Sequence, residues 1–224
     1  MTLPAAVLFD NDGTLADTEP MWLEIEGEVC RQIGGEHTAQ VRAATLGASM
    51  EGTAEILIRA AGRTDLSVAE ISERLTVRAV ERLTEGGFEF MPGAVELLAA
   101  LDEAGVPLGL VSAADTRVLA AVTSRLPKAY FSVIVGNDSV SRGKPDPEGY
   151  LMAADKLGVN PAECLVIEDT AKGARAGNAS GAWVLAVPNA EGAPVPEAPR
   201  RSFVDTLVGL TPADLGAMLG STDA

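Results

Sequence analysis

Along this chain the spacing of apolar residues changes rhythm twice. Ala5-Ala6-Val7-Leu8-Phe9 is an unbroken apolar run that stops at Asp10, a pattern that predicts a strand buried on both faces. From about Pro20 to Phe88 the period lengthens. Residues 51–59 and 68–83 carry apolar side chains at spacings of three and four with charges between them, which predicts amphipathic helices and leaves no convincing strand in that stretch. After Met91-Pro92-Gly93 helices and strands alternate. Helix 94–104 is stopped by Gly105, and strand 106–111 ends at Ser112. A helix around 115–125 and a short strand 132–135 follow. Helix 147–157 is stopped by Gly158, strand 163–167 ends at Glu168 and Asp169, and helix 170–180, closed by Gly181, leads into strand 182–187. Residues 189–201, rich in Pro and Ala, read as a loop, and 212–219 as a last helix.

Such alternation predicts an α/β fold with a doubly wound parallel sheet, and an all-helical insertion after its first strand. Ligands bind beyond the carboxyl ends of the strands in sheets of this kind. The residues at those ends are Asp10, Asp12, Ser112, Glu168 and Asp169.

Composition narrows the function classes. No apolar run nears membrane-spanning length, and the first is too short for a signal-peptide core, so a cytoplasmic location is expected. Cys30 and Cys164 lie far apart and argue against a disulfide framework. The net charge of −15 leaves no basic footprint for nucleic acid or an anionic membrane, and any phosphate substrate needs a local positive site. His37 is the only histidine, which excludes an HExxH zinc site; within Gly34-Gly35-Glu36-His37-Thr38 it reads as a solvated surface residue. No GxxxxGK[ST] loop is present.

Asp10-Asn11-Asp12-Gly13-Thr14 fits an Asx-rich turn, yet it also sets two carboxylates on one side of a strand end. Like charges that close are costly unless a metal or a proton separates them. Glu168-Asp169 adds hard oxygen ligands that suit magnesium, and nothing supplies the sulfur or imidazole that zinc prefers; the same pair also suits a plain helix N-terminus. Ser112 and the backbone amides beside it, such as that of Ala113, can bind phosphate oxygens or simply cap a helix. Lys144 lies in Arg142-Gly143-Lys144-Pro145-Asp146-Pro147, where two prolines hold the backbone. Lys128, Lys156 and Lys172 are the only other lysines.

Taken in order, these segments resemble the haloacid dehalogenase superfamily. Leu8-Phe9-Asp10-Asn11-Asp12-Gly13-Thr14-Leu15-Ala16-Asp17-Thr18-Glu19 looks like its first motif, Ser112 its second, Gly143-Lys144-Pro145 its third and Glu168-Asp169 its fourth, so the resemblance spans essentially the whole chain. The helical insertion is similar to that of the branch containing sugar-phosphate phosphatases and beta-phosphoglucomutase, where it is a mobile cap. The resemblance implies a Rossmann-like core of residues 1–16 and 92–224 and a cap of 17–91. It implies that Asp10 attacks phosphorus to form an aspartyl-phosphate, and that Asp12 protonates the leaving alcohol and later takes a proton from water. Magnesium would sit on the Asp10 side chain, the Asp12 carbonyl and Asp169, with Glu168 close by. Ser112 and Lys144, with Gly13, Thr14 and Ala113, would hold the phosphate.

The expected substrate is a small phosphorylated metabolite, a sugar phosphate above all, selected by cap residues such as Trp22, Met50, Glu51, Arg74 and Arg78. A dehalogenase of this superfamily lacks a carboxyl at the Asp12 position. The phosphonate-cleaving branch needs a cap lysine, and residues 17–88 contain none. A non-catalytic module would be expected to have lost a carboxylate, and all are present. Mutase activity is the serious alternative. The mutase branch carries a histidine where Trp22 stands and an arginine where Met50 follows Gly47-Ala48-Ser49, which favours a phosphatase.

Overall fold

The structure, a computed structural model, describes residues 2–187 and 194–220. In chain order, β1 (Ala6–Phe9) and β2 (Ala16–Asp17) precede helices α1 (Glu19–Gln32), α2 (Ala39–Thr45), α3 (Met50–Ala60) and α4 (Val68–Glu85), and β3 (Glu89–Phe90) follows. Then come α5 (Ala94–Glu103), β4 (Leu108–Val111), α6 (Thr116–Thr123), β5 (Val133–Val135), α7 (Glu148–Leu157), β6 (Cys164–Glu168), α8 (Ala171–Ala179), β7 (Trp183–Ala186), β8 (Arg201–Phe203) and α9 (Pro212–Met218).

Six strands form one sheet in the order β5-β4-β1-β6-β7-β8, every pair parallel. The chain winds outward from β1 through β4 and β5, then returns across β1 to lay down β6. That reversal puts a crevice at the carboxyl end of β1, between β4 and β6. Strand alternation divides the core. Val7 and Phe9 face the layer holding α5, α6 and α9, whereas Ala6 and Leu8 face α7 and α8. Both faces are covered, so β1 carries no polar residue before Asp10.

Helices α1 to α4 bury Ile25, Val29, Leu57, Ile71, Leu75 and Leu83 against one another. Truncating such a buried leucine to alanine costs about 2–5 kcal/mol. Thr38, Ser49 and Ser67 cap α2, α3 and α4 through their side-chain oxygens, and Gly86 ends α4 in the left-handed conformation at φ 94°. The two connections to the sheet run side by side: β2 and β3 pair antiparallel, and Met91 N–H donates to the Leu15 carbonyl at 2.9 Å. Two-residue strands carry too little pattern to be seen in sequence. Among the described residues no helix is long and apolar enough to cross a membrane.

Two expectations need correction. Residues 189–201 were expected to be loop, but Arg201 opens β8, which pairs with β7; residues 194–200 are irregular, and 189–193 lie outside the described residues. Pairing with Val184 to Ala186, not the pattern of Arg-Ser-Phe itself, makes this segment a strand. His37 is not solvated: its side chain is 8% exposed and its Nε2 lies 3.5 Å from Glu26 Oε2. Gly27 leaves room for the ring, since a Cβ there would approach Nδ1 to 3.3 Å.

Candidate active site

The order of the sheet assembles the site. Asp10 follows β1, Ser112 follows β4, and Glu168 ends β6 with Asp169 next; all four are buried. Lys144 enters from the loop before α7. Its Nζ donates to Asp10 Oδ1 at 2.5 Å, Glu168 Oε1 at 2.6 Å and the Val111 carbonyl at 2.9 Å. Glu168 is further engaged by the Tyr150 hydroxyl (2.7 Å) and by Thr170 through its N–H (3.3 Å) and hydroxyl (3.1 Å). Gly173 permits this approach of α8, because a Cβ there would run into the Glu168 carboxylate.

Oxygens of Asp10, Glu168 and Asp169 lie within 4.8 Å of one another. Three carboxylates thus face one ammonium. Burial first, and then the charge of Glu168, pushes Asp10 well above the ordinary carboxylate range. The same two causes push Asp169 up to about 7. Burial opposes the charge on Lys144, but Asp10 and Glu168 outweigh it and keep the ammonium protonated. A small divalent cation held there would offset this negative charge, and a donor set of hard carboxylate oxygens fits magnesium. Gly13 completes the fit. It sits at φ +80°, and any Cβ would run into Asp169 Oδ2.

Asp12 is turned out of this trio. Its Oδ1 accepts from the Thr18 hydroxyl at 2.5 Å and its Oδ2 from the Ser112 hydroxyl at 3.3 Å. Thr18 occupies the N-cap position of α1 without capping it, so its hydroxyl is committed to Asp12. Ser112 does not cap α6 either; Asp115 does, accepting from Arg117 N–H at 2.8 Å. Thr14 reaches Asp169 Oδ1 at 3.5 Å, and Ala113 is exposed directly after Ser112. Asn11, between the two aspartates, is fully buried, and its side-chain amide finds no hydrogen-bond partner among the described residues.

The structure therefore brings Asp10, Asp12, Gly13, Thr14, Ser112, Lys144, Glu168 and Asp169 together. The cap candidates are placed differently. Trp22 and Met50 are half-buried against the apolar core, and Glu51 is exposed in the first turn of α3. Arg74 pairs with Glu70 at 2.7 Å, and Arg78 with Glu28 at 2.8 Å and Glu81 at 2.5 Å. Sequence reasoning missed Tyr150, Thr18, Thr170 and Lys172. Thr18 lay inside the first motif, whereas a tyrosine on the buried face of α7 reads as ordinary core. Lys172 donates to the Gly47 carbonyl at 3.0 Å, and Arg117 grips Glu73 through two hydrogen bonds of 2.9 and 2.7 Å, so the helical insertion touches the sheet layer at both points.

Known proteins resemble this chain in sequence and fold. The family model for haloacid dehalogenase-like hydrolases matches residues 4–181. Hexitol phosphatase A of Escherichia coli is 31% identical over 90% of this chain and 88% of its own length. The phosphorylated carbohydrates phosphatase of Thermotoga maritima is 31% identical over 79% of this chain and 81% of its own. Among solved structures, CbbY from Rhodobacter sphaeroides in complex with xylulose-(1,5)bisphosphate superposes with a TM-score of 0.83 at 25% identity, covering 93% of this chain and 96% of that one.

Proposed function

Because this chain belongs to the haloacid dehalogenase-like hydrolase family and is a phosphoric monoester hydrolase, we propose that it dephosphorylates a small sugar or sugar-alcohol phosphate with Asp10 as nucleophile and magnesium as cofactor. The observation that carries this reading is the buried Asp10 at the end of β1, with the Lys144 ammonium at 2.5 Å and Asp169 beside it. The sugar class rests on relatives that act on hexitol phosphates and phosphorylated carbohydrates.

In this reading an Asp10 oxygen forms a bond to phosphorus as the bond to the leaving oxygen breaks, and Asp12 donates its proton to that oxygen. A water oxygen then attacks the aspartyl-phosphate while Asp12 takes its proton, and the Asp10–phosphorus bond breaks to release phosphate. Thr18 and Ser112, on the two oxygens of Asp12, aim it at the leaving group. Lys144, Ser112 and the amides near Gly13, Thr14 and Ala113 hold the phosphoryl oxygens. Two unit negative charges at about 4 Å repel by roughly 4 kcal/mol at an effective dielectric near 20. Asp10, the Asp12 carbonyl and Asp169, with Glu168 behind them, would hold magnesium, which would supply positive charge; Asp10 then stays ionised and can approach a phosphate dianion. Glu168 also positions Lys144.

Residues 17–91 act as a cap over the core of 1–16 and 92–224, hinged at the β2–β3 ribbon. Water is the acceptor. Trp22 and Met50 carry no charge for a second phosphate, and Arg74 and Arg78 are held by glutamates, which supports a phosphatase over a mutase. Phosphate release from a panel of pentose, hexose and hexitol monophosphates, with and without magnesium, tests the reading. Asp10→Asn is expected to lower turnover by about 10⁴-fold or more, as removal of a nucleophile does. Undiminished turnover by that variant, or in excess chelator, overturns it.

A further inference from the structure

The cap holds a buried polar cluster that the chemistry above does not use. Glu26, midway along α1, is 8% exposed, and Thr45, the last residue of α2, is 4% exposed. The Thr45 hydroxyl donates to Glu26 Oε2 at 2.6 Å, and His37 Nε2 lies 3.5 Å from the same oxygen. Burial raises the pKa of Glu26, while Thr45 and His37 act in the opposite direction. A carboxylate withdrawn from water persists only where such partners offset its lost solvation.

Thr45 is the only buried residue of α2, a helix of seven residues. Half-buried Val41 packs α2 on the apolar core, and at its last residue the hydrogen bond from Thr45 to Glu26 adds a buried polar tie. The exposed residues 46–49 follow at once and lead into Met50, the first residue of α3. Their far side is also held. The Gly47 carbonyl accepts from Lys172 Nζ at 3.0 Å, and Lys172 lies in the first turn of α8, just after Asp169. The loop is thus fixed from the cap by Glu26 through Thr45, and from the rim of the active site by Lys172.

We propose that Glu26, His37 and Thr45 form a positioning cluster that sets loop 46–49 against the active-site rim and so determines which leaving groups the site admits. The inference rests on the phosphatase reading for its consequence in specificity; the tether itself is independent of turnover. Thr45→Val keeps the shape and removes the donor, and Thr45→Ser restores it. Lys172→Met releases the other end from an exposed position, where the substitution does not threaten the fold.

Amide hydrogen exchange tests the tether whether or not a substrate is known. Residues 46–49 are expected to exchange about tenfold faster in Thr45→Val, the effect of losing one hydrogen bond to a charged group, with α4 unchanged and Thr45→Ser close to the parent. Lys172→Met is expected to loosen the same residues. Kinetics then tests the consequence. For Thr45→Val and Lys172→Met, KM for the best sugar phosphate rises about tenfold and the rank order of the panel changes, while kcat on 4-nitrophenyl phosphate stays within about twofold. Unchanged exchange at 46–49 in both variants, or equal losses on sugar and aryl phosphates, overturns the proposal. A parent protein inert on every phosphate tested sinks the phosphatase reading instead, and faster exchange would still uphold the tether.

Discussion

Charge is arranged in opposite ways in the two halves of this molecule. In helices α1 to α4 and the turns between them, cations meet carboxylates at the surface: Arg63 with Asp65, Arg74 with Glu70, Arg78 with Glu28 and Glu81, Arg82 with Glu24. The hydrogen bond from Arg63 brings Asp65 to about 2, and that from Arg78 lowers Glu28. At the carboxyl ends of the strands, burial instead drives Asp10 and Asp169 upward, and one ammonium serves three carboxylates. Balanced, solvated pairs add little stability and attract nothing. Unbalanced, buried charge marks a candidate binding site. Glu26 is the exception within the helical insertion, buried like the site and likewise raised by burial, but with a hydroxyl donor, Thr45, at 2.6 Å.

The largest test of that contrast is at Asp12. Asp12→Ala is expected to slow phosphoryl transfer by about 10²–10⁴-fold for a sugar phosphate, whose leaving group needs a proton, and by clearly less for an aryl phosphate. Single-turnover formation of the aspartyl-phosphate measures this, and equal losses on both substrates would remove Asp12 from the acid role.

A smaller effect lies in pH. In the metal-free protein Asp169 holds its proton up to about 7, whereas the unfolded chain releases it near the ordinary value of 3.8. Between those values the folded state binds more protons, so this group makes stability fall as pH rises from about 4 to about 7 and level off above. Thermal melts in chelator are expected to show the decline. Asp169→Asn lessens it, with the raised Asp10 carrying the remainder, and magnesium restores Tm most strongly at the alkaline end. A magnesium effect equally large at pH 4 would contradict this account.

The smallest effect is expected where the cap's surface charges reach the core. Arg117→Ala removes the pair with Glu73 between α6 and α4, and exposed pairs are weak, so the ratio of open to closed forms is expected to shift by about fivefold at most. Distance labels on α3 and α8, read with magnesium and a phosphate mimic, would register it. No change in their distribution would mean that apolar packing of α4 on α6 alone sets closure.

Legibility followed the same division. Asp10, Ser112, Glu168 and Asp169 could be read from the chain because each ends an apolar run, a signal contained within a few neighbouring residues. The spacing of apolar residues from 20 to 88 likewise revealed helices. The position of His37 could not be read, because its burial depends on Gly27 and Glu26 on another element. Tyr150 looked like core, and it is core; only its hydroxyl, placed on Glu168 across 18 residues of chain, gives it a part in the site.

By itself, then, the sequence determined the elements, their alternation and the polar residues that end the strands, since each follows from local periodicity and backbone preference. The tertiary structure decided which of those ends became neighbours. Lys144 meets Asp10 across 134 residues only because β4 and β6 flank β1, and Lys172 meets Gly47 across 125 only because the helical insertion folds back over the sheet. Charges interact through space and not along the chain, so their partners, and the excess of negative charge among them, exist only once the strands are in order.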